Sequence, residues 1–232
     1  MQLFYANIHD SHAGIILSEE ESKHCIKVLR KKIGDRVQVV DGYGGFYECE
    51  IMQDKPKHCT LKVLSEQKEF RKRDFQLTIA IAPTKNLSRF EWFLEKATEI
   101  GIDRIIPIIT SRSERKRLKE ERLERIVLTA MKQSGRAYLP ELLPLTQFTE
   151  LVKSDNTKLK CIATCDSKNH LKLNYNCADD VCIIVGPEGD FTQEEIILAK
   201  ENGFKEVSLG PSRLRVETAG IVACHTINML NE

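Results

Sequence analysis

Two short stretches near the C-terminal end carry residue types that could hold a ligand. The first is Gly186-Pro187-Glu188-Gly189-Asp190. The second is Gly210-Pro211-Ser212-Arg213-Leu214-Arg215, which runs into Val216-Glu217-Thr218-Ala219-Gly220. Glycine opens backbone angles closed to other residues and lets the chain approach a bound molecule closely. The second turn adds the guanidinium groups of Arg213 and Arg215 and the carboxylate of Glu217 beside its glycine. A lone Gly-Pro-x-Gly is most simply a tight connection. A pair of such turns, one flanked by charge, has what a polar-ligand site requires.

The surrounding elements would bring both turns to one edge of a sheet. Residues 181–185, Val-Cys-Ile-Ile-Val, form an apolar run of the buried-strand type that feeds the first turn. Thr192 and Glu195 have capping-box spacing, so a helix starts there, and Gly203 is its stop. Residues 207–209 read as a second short strand before the second turn, and another helix opens near Val216. In an open α/β sheet, ligands gather at the carboxyl ends of strands.

The rest of the chain bounds the possibilities. Its 232 residues, 41% hydrophobic and 30% charged, suit a soluble globular protein of one large or two small domains. The net charge of +1 means that any nucleic-acid contact must use local basic patches. No apolar run has the length of a membrane span, and the opening Met-Gln-Leu-Phe-Tyr-Ala-Asn lacks the features of a signal peptide, so a cytoplasmic protein without membrane contact is expected. The eight cysteines include no C-x-x-C pair and are read as reduced. Neither G-x-G-x-x-G, a Walker motif nor H-E-x-x-H is present, so no metal is expected.

Residues 1–70 read as short alternating strands at 4–8, 36–40, 46–52 and 59–64, the pattern of a small β-barrel. Ser18 and Glu21 predict a capped helix with a basic end, Lys23, His24, Lys27, Arg30, Lys31 and Lys32. That end suits a phosphate contact and equally suits the helix dipole. Lys68, Arg71, Lys72 and Arg73 mark a polar joint. From residue 74 on, strands and helices alternate as in an α/β domain: strand 75–82, a helix capped by Ser88 and Glu91 and closed by Gly101, strand 102–109, a helix ending at Gln133-Ser134-Gly135-Arg136, a short helix 146–153 and strand 159–164. His225 falls in the last helix and reads as a core histidine.

G-P-E-G followed by L-G-x-x-x-L-R-x-E-T-A resembles the C-terminal signature of the SPOUT methyltransferases, and more closely that of the RsmE family. His24, Val28, Leu29, Arg30, Gly34 and Asp35 are similar to that family's PUA-like RNA-binding domain, and Arg112, Ser113, Gln133, Ser134, Arg136 and Pro140 match it in the middle of the chain. Four positions depart from the family: Asp190 replaces a glycine, Ser212-Arg213 replaces Arg-Ile, and Lys132 stands where a glutamate is frequent.

The resemblance implies a deep trefoil-knot α/β domain over 74–232 behind the PUA-like barrel. It implies S-adenosylmethionine as methyl donor, the N3 of a uridine in 16S ribosomal RNA as target, the assembled small subunit as substrate, and a homodimer. By the same resemblance Val185, Gly186, Pro187, Glu188, Gly189, Leu209, Gly210 and Leu214 would grip the cofactor. His24, Arg30, Arg112, Ser113, Gln133, Ser134 and Arg213 would meet RNA. Glu217 is the first candidate for a base, with Arg215 and Arg136 stabilising charge on the uracil. An Arg215–Glu217 contact that only braces the turn is the plain alternative. Two other functions stay open: ribose 2′-O methylation on the same fold, and RNA binding or ribosome assembly without catalysis.

Overall fold

The structure, a computed structural model, describes residues 3–8 and 14–232. Met1 and Gln2, part of the opening segment read above, lie outside the described residues. The chain forms two compact units. One comprises Met1–Lys72 with Met131–Leu139, the other Arg73–Ala130 with Pro140–Glu232. A single crossing near residue 72 was expected; instead nine residues from the middle of the chain belong to the first unit.

The first unit is a curled five-stranded sheet. Its strands are β1 (Leu3–Tyr5), β2 (Ile15–Ile16), β3 (Arg36–Val40), β4 (Phe46–Lys55) and β5 (His58–Gln67), in the order β1-β3-β4-β5-β2. The long β4–β5 hairpin carries two register shifts, which bend it as bulges do. Alternate residues Tyr47, Cys49 and Ile51 point inward with Val37 and Val39. Helix α1 (Glu19–Lys23) starts on Ser18, whose Oγ accepts from the Glu21 N–H at 3.2 Å. The expected reciprocal half of that box is absent, because the Glu21 carboxylate pairs with Lys132 instead. The basic segment continues as a π-helical turn, His24–Val28, rather than as regular α-helix.

The second unit is built on a parallel sheet. Strands β6 (Leu77–Ile81), β7 (Arg104–Ile109), β8 (Glu141–Leu142), β9 (Thr146–Gln147), β10 (Leu159–Ala163), β11 (Val181–Val185) and β12 (Lys205–Val207) run in the order β12-β10-β11-β6-β7-β8, with β9 also on β7. Every residue of β6 and β11, the central pair, is buried, as expected of strands covered on both faces. On one face α4 (Phe148–Ser154) and α5 (Gln193–Glu201) supply Phe148, Leu151 and Ala199 to a core with Ile106, Ile162 and Ile184. On the other, α2 (Leu87–Ile100) packs on α6 (Val216–Leu230), so tightly that a methyl group at Gly220 would lie 2.5 Å from the Phe93 ring. Helix α3 (Glu120–Gln133) joins β7 to the segment shared with the first unit.

Several boundaries differ from expectation. Helix α2 begins on Asn86, whose side chain accepts from the Ser88 N–H at 3.1 Å, and Glu91 pairs with Arg122 rather than closing a box on Ser88. Residues 205–207 form the last strand, not 207–209; Ser208 pairs only through an isolated parallel bridge to His170 and turns its hydroxyl to Gly210. His225 is exposed, which corrects its reading as a core histidine. Arg73 is no solvated linker: its guanidinium pairs with Asp103 and donates to the Gly101 carbonyl at 2.7 Å and Asn228 Oδ1 at 2.9 Å.

Candidate active site

A cavity of about 540 Å³ opens at the carboxyl ends of β10, β11 and β12, where the sheet's connections gather. Both glycine turns line it. From the first come Val185, Gly186, Pro187 and Glu188; from the second, Leu209, Gly210 and Leu214. Ala163, Thr164 and Cys165, at the end of β10, form a third wall.

The two turns are glycine-rich for different reasons. Gly210 has φ 144°, a backbone angle that side-chained residues rarely adopt, and no atom lies within 4 Å of where its Cβ would be. Ser208 holds that turn: its Oγ accepts from the Gly210 N–H at 3.2 Å and donates to the Gly210 carbonyl at 3.1 Å. Gly186 is required by its own neighbour, since a Cβ there would stand 2.9 Å from the Phe191 ring. At Gly189 a Cβ would press on the Arg112 side chain at 3.3 Å, behind the turn rather than in the cavity.

Arg112 therefore supports the site. Its Nη1 donates to the Gly189 carbonyl at 2.7 Å and to that of Phe191 at 3.2 Å. Arg112 is itself positioned by the α5 cap. Glu195 and Thr192 form the reciprocal box, and the second oxygen of Glu195 accepts from the Ser111 N–H at 2.7 Å. One buried carboxylate thus ends β7, starts α5 and aims Arg112 at the first turn. Ser113 is 5% exposed, and its Oγ accepts from the Thr110 N–H at 3.0 Å, which corrects the expectation of a surface contact there. Arg213 crosses between the turns, donating to the Glu188 carbonyl at 3.3 Å. The Glu188 side chain accepts from the Lys85 N–H at 3.0 Å.

Glu217 lines the cavity and is 7% exposed. Its ionic partner is Arg89 of α2, at 3.7 Å, a residue that the sequence did not single out and that also lines the cavity. Arg215, expected to stabilise charge on the uracil, is exposed, lines the cavity and precedes the first turn of α6. Asp190 takes φ 60° and accepts from the Phe191 N–H at 2.8 Å while facing the cavity. Burial first, then the Asp190 carboxylate, pushes the Cys165 thiol above its ordinary value.

The remaining candidates belong to the first unit. His24 opens the π-turn, half-buried, with its ring edge-on to Phe4 at 6.2 Å. Arg30 is exposed and closes that turn at φ 56°. Gln133 is exposed, Ser134 Oγ donates to the Met131 carbonyl at 3.1 Å, and Arg136 is half-buried.

Residues 71–228 match a family model described as an RNA methyltransferase domain, and residues 17–64 one described as an RNA methyltransferase PUA domain. The chain is 36% identical over 229 residues to the ribosomal RNA small subunit methyltransferase E of Synechocystis sp., covering 95% of this chain and 74% of that one. The chain belongs to the ribosomal RNA small subunit methyltransferase E family. Among solved structures, a probable rRNA-methyltransferase from Porphyromonas gingivalis superposes with a TM-score of 0.93 at 40% identity, covering 100% of this chain and 98% of that one. A family member from Neisseria gonorrhoeae, solved bound to S-adenosyl methionine, superposes at 0.88 and 26% identity, with 100% and 98% covered.

Within this family's frame, Arg89 and the end of β10 are what sequence reasoning missed. The β10 wall carried a signal, since it is a third strand end at the same edge of the sheet. Arg89 carried none beyond its place in the first turn of α2. Among the described residues, no group of three or more His, Cys, Asp or Glu is placed to hold a metal, and no helix is long and apolar enough to cross a membrane.

Proposed function

We propose that this protein transfers a methyl group from S-adenosylmethionine to N3 of a uridine in 16S ribosomal RNA, in the cytoplasm, as a homodimer acting on the small ribosomal subunit. The observation that carries the reading is the convergence on one cavity of both glycine turns and of the buried Glu217, paired with the partly exposed Arg89.

The cavity fits the donor. Its volume lies in the usual range for small-molecule sites, roughly 300–1,000 Å³, and Gly210 leaves open space where any other residue would place a side chain. When bound, S-adenosylmethionine supplies an electrophilic methyl on a sulfonium. Backbone groups of Val185, Gly186, Leu209 and Gly210, with the Leu214 side chain, would hold its adenosyl and methionyl parts. Glu188 and Pro187 shape the same wall, and Gly189 keeps Arg112 against the turn.

Uracil N3 carries a proton that must leave. Glu217 accepts it as the N3–carbon bond forms and the carbon–sulfur bond breaks. Arg89 keeps the Glu217 carboxylate oriented. Arg215 and Arg136 stabilise negative charge on the uracil. Holding both reactants in line supplies much of the acceleration, and no metal enters the scheme. His24, Arg30, Gln133 and Ser134 would contact RNA directly, and Arg213 could do so while bridging the turns. Arg112 contributes by holding the first turn.

The test is mass spectrometry of nucleosides from ribosomal RNA of cells with and without this protein. Loss of 3-methyluridine in its absence, restored by the wild-type chain and not by Gly210→Val, is the expected result. Loss of a 2′-O-methylnucleoside instead would move the target to the ribose. An unchanged profile would leave a binding or assembly role.

A further inference from the structure

The chemistry of the site does not use Tyr43, although it is 80% exposed, the most open large hydrophobic side chain among the described residues. It sits at the tip of the loop between β3 and β4, and that loop is held with unusual thoroughness. The Asp41 carboxylate accepts from the Tyr43 N–H at 2.7 Å, the Gly45 N–H at 2.9 Å and the Tyr47 hydroxyl at 3.2 Å. Gly42 and Gly44 take φ 83° and 97°, and a side chain at Gly44 would run into the Tyr138 ring. The segment after Arg136 clamps the same loop. Gly44 N–H donates to the Ala137 carbonyl at 3.0 Å, and Leu139 N–H donates to the Gly42 carbonyl at 2.9 Å. Gly44 also accepts from the Phe70 N–H at 2.9 Å.

These bonds hold the backbone of Tyr43 and leave its ring in solvent. An exposed aromatic side chain on a fixed loop loses little freedom when it captures a partner, so the ordering cost is already met. The neighbours say which partner. The bonds to Ala137 and Phe70 bring the backbone segments that carry Arg136 and Arg71, each one residue away in sequence, beside the loop. Arg71 lies over the Phe70 ring at 5.0 Å, and Phe70 stacks on Phe46 at 4.5 Å. The one acidic group in the loop, Asp41, has three donors of its own. An exposed ring on a loop bonded to two arginine-bearing segments suits a partner with flat π faces and a negative backbone.

We propose that Tyr43 is a stacking platform for an unpaired nucleobase of the RNA substrate, with Arg71 serving the adjoining phosphate. This rests on the reading of ribosomal RNA as substrate. The test measures binding of an end-labelled small-subunit rRNA transcript across a salt series, for wild type and for the Ala, Phe and Trp variants of Tyr43. Tyr43→Ala should bind about tenfold more weakly, equivalent to about 1.4 kcal/mol, while Phe and Trp keep near wild-type affinity. The salt slope should stay unchanged in Tyr43→Ala, because no phosphate charge is lost, and should fall by about one in Arg71→Ala. Melting temperature and calorimetric S-adenosylmethionine binding should not move in any Tyr43 variant.

Affinity of Tyr43→Ala within twofold of wild type would overturn the proposal. So would a Phe variant as weak as Ala, which would make the hydroxyl the contact, or a lowered melting temperature, which would make the ring structural. Normal RNA binding with a changed molecular mass would replace the base by a protein partner. A wild-type chain that binds no transcript while still binding S-adenosylmethionine would defeat the RNA reading itself.

Discussion

Single residues divide the work of the site. Gly210→Val must both leave φ 144° and fill open cavity, so it should abolish S-adenosylmethionine binding. Gly186→Val meets the Phe191 ring instead, so its first effect should be a lower melting temperature. Calorimetry and thermal melts on the two variants separate these effects; equal melting losses would show that Gly210 is also structural. Glu217→Gln keeps the shape of the cavity wall and removes the proton acceptor. Single-turnover methylation should slow by about 10²–10⁴-fold, the usual worth of a general base, with cofactor affinity preserved. A rate within a few-fold of wild type would move the base elsewhere. Cys165 offers a third readout. Its raised pKa means that the reactive thiolate is scarcer at neutral pH than in a free cysteine and increases as pH climbs toward the raised value. Alkylation of Cys165 should be slow at pH 7, faster at higher pH, and blocked by S-adenosylmethionine. Exposed Cys177, away from the cavity, should show no such protection. At this scale the turns and Glu217 were legible because glycine, proline and charge stand together in one short run. Arg89 was not, because its partner comes from the far end of the chain.

At the scale of elements, the α5 cap is the joint that positions the first turn. Thr192 caps the helix, and the Glu195 it orients also ends β7 through the Ser111 N–H. Thr192→Ala should cost about 1 kcal/mol, as lost N-caps do, and lower the melting temperature by about 2–4 °C for a unit of this size. It should also weaken cofactor binding, because Arg112 then loses part of its support. A stability loss without any change in cofactor affinity would show that the cap and the turn are independent. The cap at Thr192 could be read from sequence because both halves of the box are used as such. At Ser18 only the serine half of the box forms, and at Ser88 neither half does. Glu21 finds Lys132 and Glu91 finds Arg122, both distant in sequence, and a tertiary ion pair outcompetes a local bond that sequence alone would favour. The last strand shifted for a related reason. Ser208 bridges to His170 and bonds across the turn to Gly210, so β12 ends at Val207 and Leu209 lines the cavity.

For the whole molecule, the open question is what covers α2 and α6. Their mutual contact and the sheet bury Phe90, Phe93, Cys224 and Ile227, as apolar helix faces require. Trp92 nevertheless stays 43% exposed, Met229 52%, and His225 is exposed on the same helix as Met229, one turn before it. Apolar residues left on helices that are already packed suit a two-fold contact between identical chains. The proposed homodimer predicts that sedimentation at working concentration gives twice the chain mass, and that Trp92→Glu, placing a charge on that surface, gives a monomer. It further predicts shared sites. Arg136→Ala lacks the proposed stabiliser of uracil charge, and Gly210→Val lacks the cofactor turn, so each should be inactive alone. If a site draws Arg136 from one chain and the cofactor cavity from its partner, mixing the two variants under conditions of subunit exchange creates dimers with one intact site. Methyl transfer should then return to about a quarter of the wild-type rate, since random exchange yields half mixed dimers with one working site each. Mixed dimers that form yet stay inactive would place both groups in the same chain. A monomeric mass accompanied by full activity would remove the dimer from the mechanism.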